Sequence, residues 1–211
     1  MSTFDDALQK RRSVRKYSPR EVSTELLNEV LDAARWAPSA HNAQPWRFVV
    51  LTNAASKANL AEAMSKAWDA DLANAGTAAS TRKKMTRAST KRFTSAPVLV
   101  IACLTMQDMR KYDDSARKEN ERDLAVQSLG AAIQNMLLTA HSKGLGACWF
   151  SAPVFCKDTV RKALRIPESI EPQALITLGY PLEKPKSPQR KSPQEIIWWD
   201  RWRNQSKTQE T

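Results

Sequence analysis

The run Pro97-Val-Leu-Val-Ile-Ala-Cys-Leu104 holds eight successive residues without one charged or amide side chain, three of them β-branched. A strand with one wet face alternates apolar and polar residues, so a run apolar at every position predicts a strand covered on both faces. Phe48-Val-Val-Leu51, closed by Thr52-Asn53, reads the same way. Such a sheet needs helices on both sides. Leu26, Leu27, Val30, Leu31 and Ala34 predict one over Ser23 to Trp36, capped by Ser23 or Thr24 and stopped by Pro38. Between the two strands, Leu60, Ala63, Met64, Ala67, Trp68 and Leu72 predict a helix over Asn59 to Ala73, and Asn74 to Ser95 reads as a polar, small-residue connection. Asn120 to Lys143 carries the longest helical pattern, apolar on more than one side and expected to be buried all round, with Gly144 as its terminating residue. Ala147 to Phe150 and Gln173 to Gly179 complete the strands, and Asp158 to Leu164 reads as a brief capped helix before Pro167. Alternating helices and strands make the class α/β or α+β, and without repeats or a visible boundary residues 1–211 read as one domain.

Beyond Pro181 the chain is rich in Pro and Lys yet ends in Ile196-Ile-Trp-Trp199 and Trp202. Tryptophans are not left in water without reason, so about 182–211 is expected to be an arm docked on a surface, a second subunit's included. With 211 residues, 42% of them hydrophobic, most of the chain cannot be disordered. The net charge of +11 points to an anion: nucleic acid, a membrane surface or a phosphorylated small molecule. Five glycines, Gly76, Gly130, Gly144, Gly146 and Gly179, make neither G-x-G-x-x-G nor a P-loop, which excludes the usual dinucleotide and nucleotide cradles. Three cysteines (Cys103, Cys148, Cys156) and two distant histidines (His41, His141) lack zinc spacing. With no apolar leader in Met1 to Lys10 and no membrane-length apolar run, a soluble cytoplasmic protein with reduced thiols and no metal is expected.

Three stretches carry candidate chemistry. Lys10-Arg-Arg-Ser-Val-Arg-Lys-Tyr17 gathers Arg11, Arg12, Ser13 and Arg15, donors that suit a phosphate; a solvated basic cluster is the plainer alternative. Ala37-Pro-Ser-Ala-His-Asn-Ala-Gln-Pro-Trp-Arg-Phe48 offers Ser39, Asn42 and Gln44 on a loop stiffened by two prolines, a setting for a planar heteroaromatic ligand as well as for an ordinary turn. Gly144-Leu-Gly-Ala-Cys-Trp-Phe-Ser-Ala-Pro153 permits close backbone approach at its glycines. Arg190 and Lys191 stand ready to close a phosphate site from the tail.

Taken in order, Arg-Arg-Ser-x-Arg-x-aromatic, Ala-Pro-Ser-x-x-Asn-x-Gln-Pro-Trp-Arg-Phe, Ala-x-Gln-Asn-x-Leu-Leu and Gly-Leu-Gly-x-x-Trp resemble the nitroreductase family of FMN-dependent oxidoreductases from residue 8 to about 200. The resemblance implies an α+β fold of three layers, a mixed central sheet flanked by helices, in an intertwined homodimer whose C-terminal arms cross. It also implies FMN as cofactor, NADH or NADPH as electron donor, and ping-pong hydride transfer to an organic acceptor. By motif, Arg11, Arg12, Ser13 and Arg15 would hold the phosphate, ribityl chain and pyrimidine edge, with Arg190 and Lys191 reaching the phosphate. Pro38, Ser39 and Asn42, with Gln44 beside them, would line the ring from the other subunit, and the backbone at Trp149, Phe150 and Ser151 would face it. The flavin would carry the chemistry, leaving no dedicated catalytic side chain. Met109 to Asp113, Ala132 to Met136, Cys148-Trp149, Phe155-Cys156 and Gln173 to Ile176 look most like the FMN-binding C-terminal domain of the bifunctional coenzyme F-420 ligase, which reduces a dehydro-deazaflavin precursor; no ligase domain is expected alongside it.

Two other readings compete. A Cys148–His141 pair is disfavoured because Cys148 sits in an apolar run. A nucleic-acid module would use Arg82, Lys83, Lys84, Arg87, Lys91 and Arg92, six cations in a stretch without an acid from Leu72 to Gln107, but neither aromatic interleaving nor a recognition motif accompanies them. On the oxidoreductase reading, Trp68 to Ser95 covers the substrate side and its cations suit an anionic small molecule, with neither nucleic acid nor membrane as partner.

Overall fold

The computed structural model describes residues 4–202. Four strands, β1 (Trp46–Leu51), β2 (Val98–Thr105), β3 (Gly146–Phe150) and β4 (Ile170–Gly179), form one sheet in the order β1-β2-β4-β3, each neighbouring pair antiparallel. The parallel component of the expected mixed sheet is a single bridge, Ser13 to Ala147, outside the four strands. β2 is buried at all eight positions because it is central and covered on both faces. Its even-numbered residues Val98, Val100, Ala102 and Leu104 join one apolar cluster, with Ile176, Leu178 and Ala147 from the neighbouring strands. Leu99, Ile101 and Cys103 point the other way, with Leu51 and Leu175. Successive residues of a strand alternate faces, so this one run serves two cores.

Helices α2 (Thr24–Arg35) and α5 (Ser115–Ser142) cover the first face through Leu27, Val30, Leu129, Ile133, Met136 and Leu137. The second face is covered by α3 (Ala54–Asn74), α4 (Ala79–Thr94) and α6 (Lys157–Leu164), which contribute Leu60, Met64, Phe93 and Val160. The three layers and the α+β class follow. Ser23 is the N-cap of α2, its Oγ accepting from the Leu26 N–H at 3.3 Å. At the far end of α5, Gly144 adopts φ 78°, and the Leu145 and Gly144 N–H groups return to the Ala140 and His141 carbonyls at 2.8 and 3.0 Å. These are the two bonds that close a helix when a left-handed residue follows it.

The structure departs from expectation where local chemistry outweighed apolar spacing. α3 begins at Ala54, not Asn59, because Asn53 Oδ1 accepts from the Ala55 and Ser56 N–H groups and starts the helix directly after β1. Within Asn74 to Ser95, read from the sequence only as a polar, small-residue stretch, residues 79–94 form α4, whose cations lie on a helix. A short helix α1 (Phe4–Lys10) precedes the Arg11 stretch. β1 is an edge strand and only half-buried, not covered on both faces. Nor is α5 buried all round: Ala125, Leu129, Ala132, Met136 and Ala140 form a buried stripe, while Leu124 and Gln134 are exposed.

The arm starts on its own chain, the Leu182 N–H donating to the Lys16 carbonyl at 3.0 Å, but its aromatic end does not bed down there: Ile196, Trp199 and Trp202 stay 55%, 56% and 71% exposed, and Trp198 stacks on Trp202 with ring centroids 3.9 Å apart. The expected arm's last part, 203–211, lies outside the described residues. Among those described, no helix is long and apolar enough to cross a membrane.

Candidate functional site

The Arg11 stretch is seated by a close approach. The Val14 N–H donates to the Ala147 carbonyl at 3.0 Å, and Gly146 leaves room for it: a Cβ there would stand 2.7 Å from Val14 Cβ. Tyr17 locks the other end, its hydroxyl meeting Thr177 Oγ1 at 2.6 Å and donating to the Val14 carbonyl at 2.5 Å. Burial pushes the phenol well above its usual range, outweighing the Thr177 hydrogen bond, which acts in the other direction. The segment thus extends the sheet beyond β3 and fixes Arg11, Ser13 and Arg15 beside it.

Around Cys148, in the middle of β3, gather Arg15, the Ser13 side chain, Arg92 and Arg11. Burial is the main effect on the thiol and raises it despite the three guanidinium groups. Cys103 is likewise pushed up to about 12 by burial, so neither cysteine is poised as a nucleophile. Arg11 is half-buried, and that burial, with the like charges of Arg190 and Arg12, lowers its pKa. His141 is lowered by burial and by Arg11 and Arg12 as well. Among the described residues Arg11, Arg15, Arg92 and Arg190 form no ion pair with a carboxylate; Arg12 turns its guanidinium back onto the Gln9 and Arg11 carbonyls. Glu183 meets the Arg15 backbone N–H at 3.3 Å and the Lys16 ammonium at 3.4 Å, leaving the Arg15 guanidinium to Ser13's carbonyl. Beside Arg11, Arg12, His141 and Gly146 lies a cavity of about 450 Å³. Guanidinium groups crowded together without counter-ions are a receptor for an anion, and Gly144, which lines the cavity, has no atom within 4 Å of where a Cβ would stand, whereas the space at Gly146 is taken by Val14.

A second cavity, about 420 Å³, opens on the face of the sheet covered by α3 and α4, walled by Met64, Trp68, Arg92, Phe93 and Phe150. Phe93 meets Phe150 edge-on at 5.3 Å, and Arg92 lies 5.6 Å over the Phe150 ring. Arg92 therefore touches both the cation cluster and the apolar cavity. It was hidden in the sequence among five other cations, with nothing local to mark it. Phe150 lines this cavity while Trp149, its neighbour in the strand, faces α5 near Gly130; Ser151 is exposed at the strand's end.

Pro38, Ser39, Asn42 and Gln44 are elsewhere. Their loop is held on α5 by the Ala40 N–H donating to Ser128 Oγ at 3.3 Å and by His41 Nε2 against Glu121 Oε1 at 3.3 Å. His41, Asn42 and Gln44 all have positive φ, a costly backbone for side-chain-bearing residues. Ser39 Oγ, accepting from the Gln44 N–H at 3.1 Å, helps to hold it. Ser128 and His141 are separated along α5 by about 20 Å at the α-helical rise, so one chain does not bring this loop to the Arg11 cluster. Lys191 is exposed next to Arg190.

The profile described as the Nitroreductase family matches residues 8–180. The chain is 34% identical over 187 residues to a protein of Methanothermobacter thermautotrophicus provisionally named NADH dehydrogenase/NAD(P)H nitroreductase, covering 85% of this chain and 78% of that one. Its fold is similar to a BluB-like flavoprotein from Clostridium difficile, with TM-score 0.79 and 28% identity over 95% of this chain and all of the other. It is also similar, with TM-score 0.70 and 26% identity over 93% of this chain and 96% of the other, to a provisionally assigned nitroreductase from Desulfovibrio desulfuricans crystallised in complex with FMN.

Proposed function

The chain belongs to the nitroreductase family, and from that premise we propose that it is an FMN-dependent oxidoreductase that takes electrons from NADH or NADPH and passes them to an organic acceptor in alternating half-reactions. One observation carries this reading: Arg11, Arg15, Arg92 and Arg190 converge beside β3 without a carboxylate partner among the described residues. A flavin mononucleotide offers what these groups lack, a phosphate for Arg11 and Arg190 and an electron-rich pyrimidine edge for Arg15 and Arg92. Ser13 and the β3 backbone up to Ser151 would line its near side, with Lys191 within the tail's reach of the phosphate.

When bound, FMN would supply two-electron redox chemistry between the nicotinamide and the acceptor. The chain's part is electrostatic and steric. Arg15 and Arg92 would stabilise negative charge at the pyrimidine edge, in a setting where Phe93 and Phe150 keep water away. The cavity between α3, α4 and β3 would admit donor and acceptor by turns. Pro38, Ser39, Asn42 and Gln44 would complete the site from a second copy, which makes the working unit a homodimer, and the cytoplasm is its expected place. Among acceptors, the motifs shared with the dehydro-deazaflavin-reducing domain make such a precursor the second to assay after a nitroaromatic.

The test is direct. Purified protein is expected to be yellow, to release FMN on denaturation, and to bleach anaerobically with NADPH or NADH. Colourless protein that takes up no added FMN would overturn the proposal.

A further inference from the structure

On α4, Lys84, Arg87 and Lys91 are exposed and spaced i, i+3 and i+7, which sets them on one face of the helix. Arg82 is tied to Asp69 at 3.1 Å, but these three have no carboxylate partner among the described residues. The arrangement weakens the helix that bears it. Like charges one turn apart repel, and Arg82, Lys83 and Lys84 occupy the helix's early turns, where its dipole favours acids. Arg82 has Asp69, but the helix end itself offers Lys83 and Lys84 no offset: the N-cap Ala78 gives no side-chain bond and the first turn holds no acid. The same helix lends Ser89, Arg92 and Phe93 to the apolar cavity of about 420 Å³. Cations on the outside of α4 therefore stand one helix diameter, about 10 Å, from a cavity whose aromatic walls suit a planar ring.

We infer that Lys84, Arg87 and Lys91 form a docking site for the 2′-phosphate of NADPH and so select it over NADH; this rests on the oxidoreductase reading above. The two donors differ only in that phosphate, at the end of the molecule remote from the nicotinamide. With the nicotinamide in the cavity beside Phe150, α4 forms one rim of the opening, and the adenosine end would leave past it. A phosphate monoester carries close to two negative charges at neutral pH, and a cation near the ribose is the usual means of accommodating it. Exposed cations act on encounter rate and on discrimination more than on a buried contact, so the preference falls as salt rises.

The test compares adenosine 2′,5′-bisphosphate with adenosine 5′-monophosphate, which lacks only the 2′-phosphate, by titration calorimetry on the flavin-loaded protein. Steady-state kinetics with NADPH and NADH run beside it, in wild type and in the triple variant Lys84→Glu, Arg87→Glu, Lys91→Glu. The bisphosphate is expected to bind roughly tenfold more tightly at low salt, and the variant to lose that advantage and a similar factor in its NADPH/NADH ratio of kcat/KM while NADH turnover holds. Equal binding of the two nucleotides, or an unchanged ratio in the variant, overturns the inference. Should wild type oxidise neither donor yet keep a bisphosphate preference that the variant abolishes, the phosphate site stands and the oxidoreductase reading falls. If the glutamate variant loses its far-UV circular dichroism, the triple glutamine variant is put through the same measurements with the same criteria.

Discussion

Gly146→Ala tests the seating of the N-terminal segment, because its ordinary effect and its expected effect here have opposite signs. Gly146 does not have the positive φ of Gly76 and Gly144, so an alanine fits its backbone, and by restricting the unfolded chain it would stabilise by roughly 0.4–1 kcal/mol. In this position the new Cβ would lie 2.7, 2.8 and 2.9 Å from Val14 Cβ, Cγ1 and Cγ2. Carbon atoms rest at about 3.5–4.0 Å, so the two must part by about 1 Å. Turning the Val14 side chain moves the two Cγ atoms but not Cβ, and the backbone itself has to retreat. A retreat of that size breaks the 3.0 Å bond from the Val14 N–H to the Ala147 carbonyl. Overpacking and the lost bond together cost about 2–4 kcal/mol. For a chain of this size that is a fall in Tm on the order of 10 °C, read by circular dichroism on flavin-free protein so that cofactor binding does not enter. Flavin absorbance per mole of protein should fall as well, since Arg11, Ser13 and Arg15 move with Val14. Adding Val14→Ala removes the two Cγ contacts but leaves the Cβ contact, and should restore part of both losses. A flavin-free Tm unchanged or raised, with full flavin content, would refute the claim that this close approach holds the segment.

Arg15→Ala and Arg92→Ala should each leave Tm of the flavin-free protein within a few degrees while weakening FMN binding roughly tenfold to a hundredfold, measured by fluorescence quenching; unaltered affinity in both would remove them from the site. At Glu171, partial burial works against ionisation, but hydrogen bonds from Lys157 and Arg122 at 2.5 Å outweigh it and hold the carboxyl below its ordinary range. Its contribution is therefore fully present above the ordinary carboxylate pKa and lost as pH falls through the lowered one, so Glu171→Gln should cost about 1–3 kcal/mol in urea unfolding at pH 7 and much less in strong acid; a pH-independent difference would contradict this. Serine at Trp198, Trp199 and Trp202 together should lower the mass seen by light scattering from two copies to one, and persistence of the dimer would show that the arm does not hold it.

Legibility in the sequence followed how local the cause was. The double burial of β2 is written into its own residues, and the ends of α2 and α5 into Ser23 and Gly144, each acting within a few positions. α4 escaped because its inward side is Met85, Thr86, Ser89 and Phe93, too mixed to stand out from six cations. Asn53 was open to two uses, closing a strand or opening a helix, and only its bonds to Ala55 and Ser56 decide. The site behaves likewise. Arg11, Ser13 and Arg15 share one segment and were legible as a group, whereas Arg92 meets them only because α4 crosses the sheet near β3.

On the proposed reading one chain leaves the site unfinished, and the strand order accounts for it. The loop carrying Pro38 to Gln44 leads into β1, and the Arg11 stretch pairs beyond β3; with the order β1-β2-β4-β3 these are opposite edges of the sheet. Three inter-strand spacings separate the edge strands by about 14 Å before any loop is added. The loop nonetheless holds three non-glycine residues at positive φ, each of which costs free energy unless surrounding contacts enforce it. Ser128 and Glu121 provide part of that enforcement, and Glu121 Oε2 is left buried without a hydrogen-bond partner among the described residues. An arm that leaves Trp199 and Trp202 in water on its own chain has the same incompleteness at the other end of the sequence. Strain in the loop, an orphaned carboxylate oxygen and an exposed aromatic arm are three separate costs in a single chain. In a two-fold dimer, a surface present on one copy is present on both, so one association could offset all three while bringing each loop to the other copy's arginines.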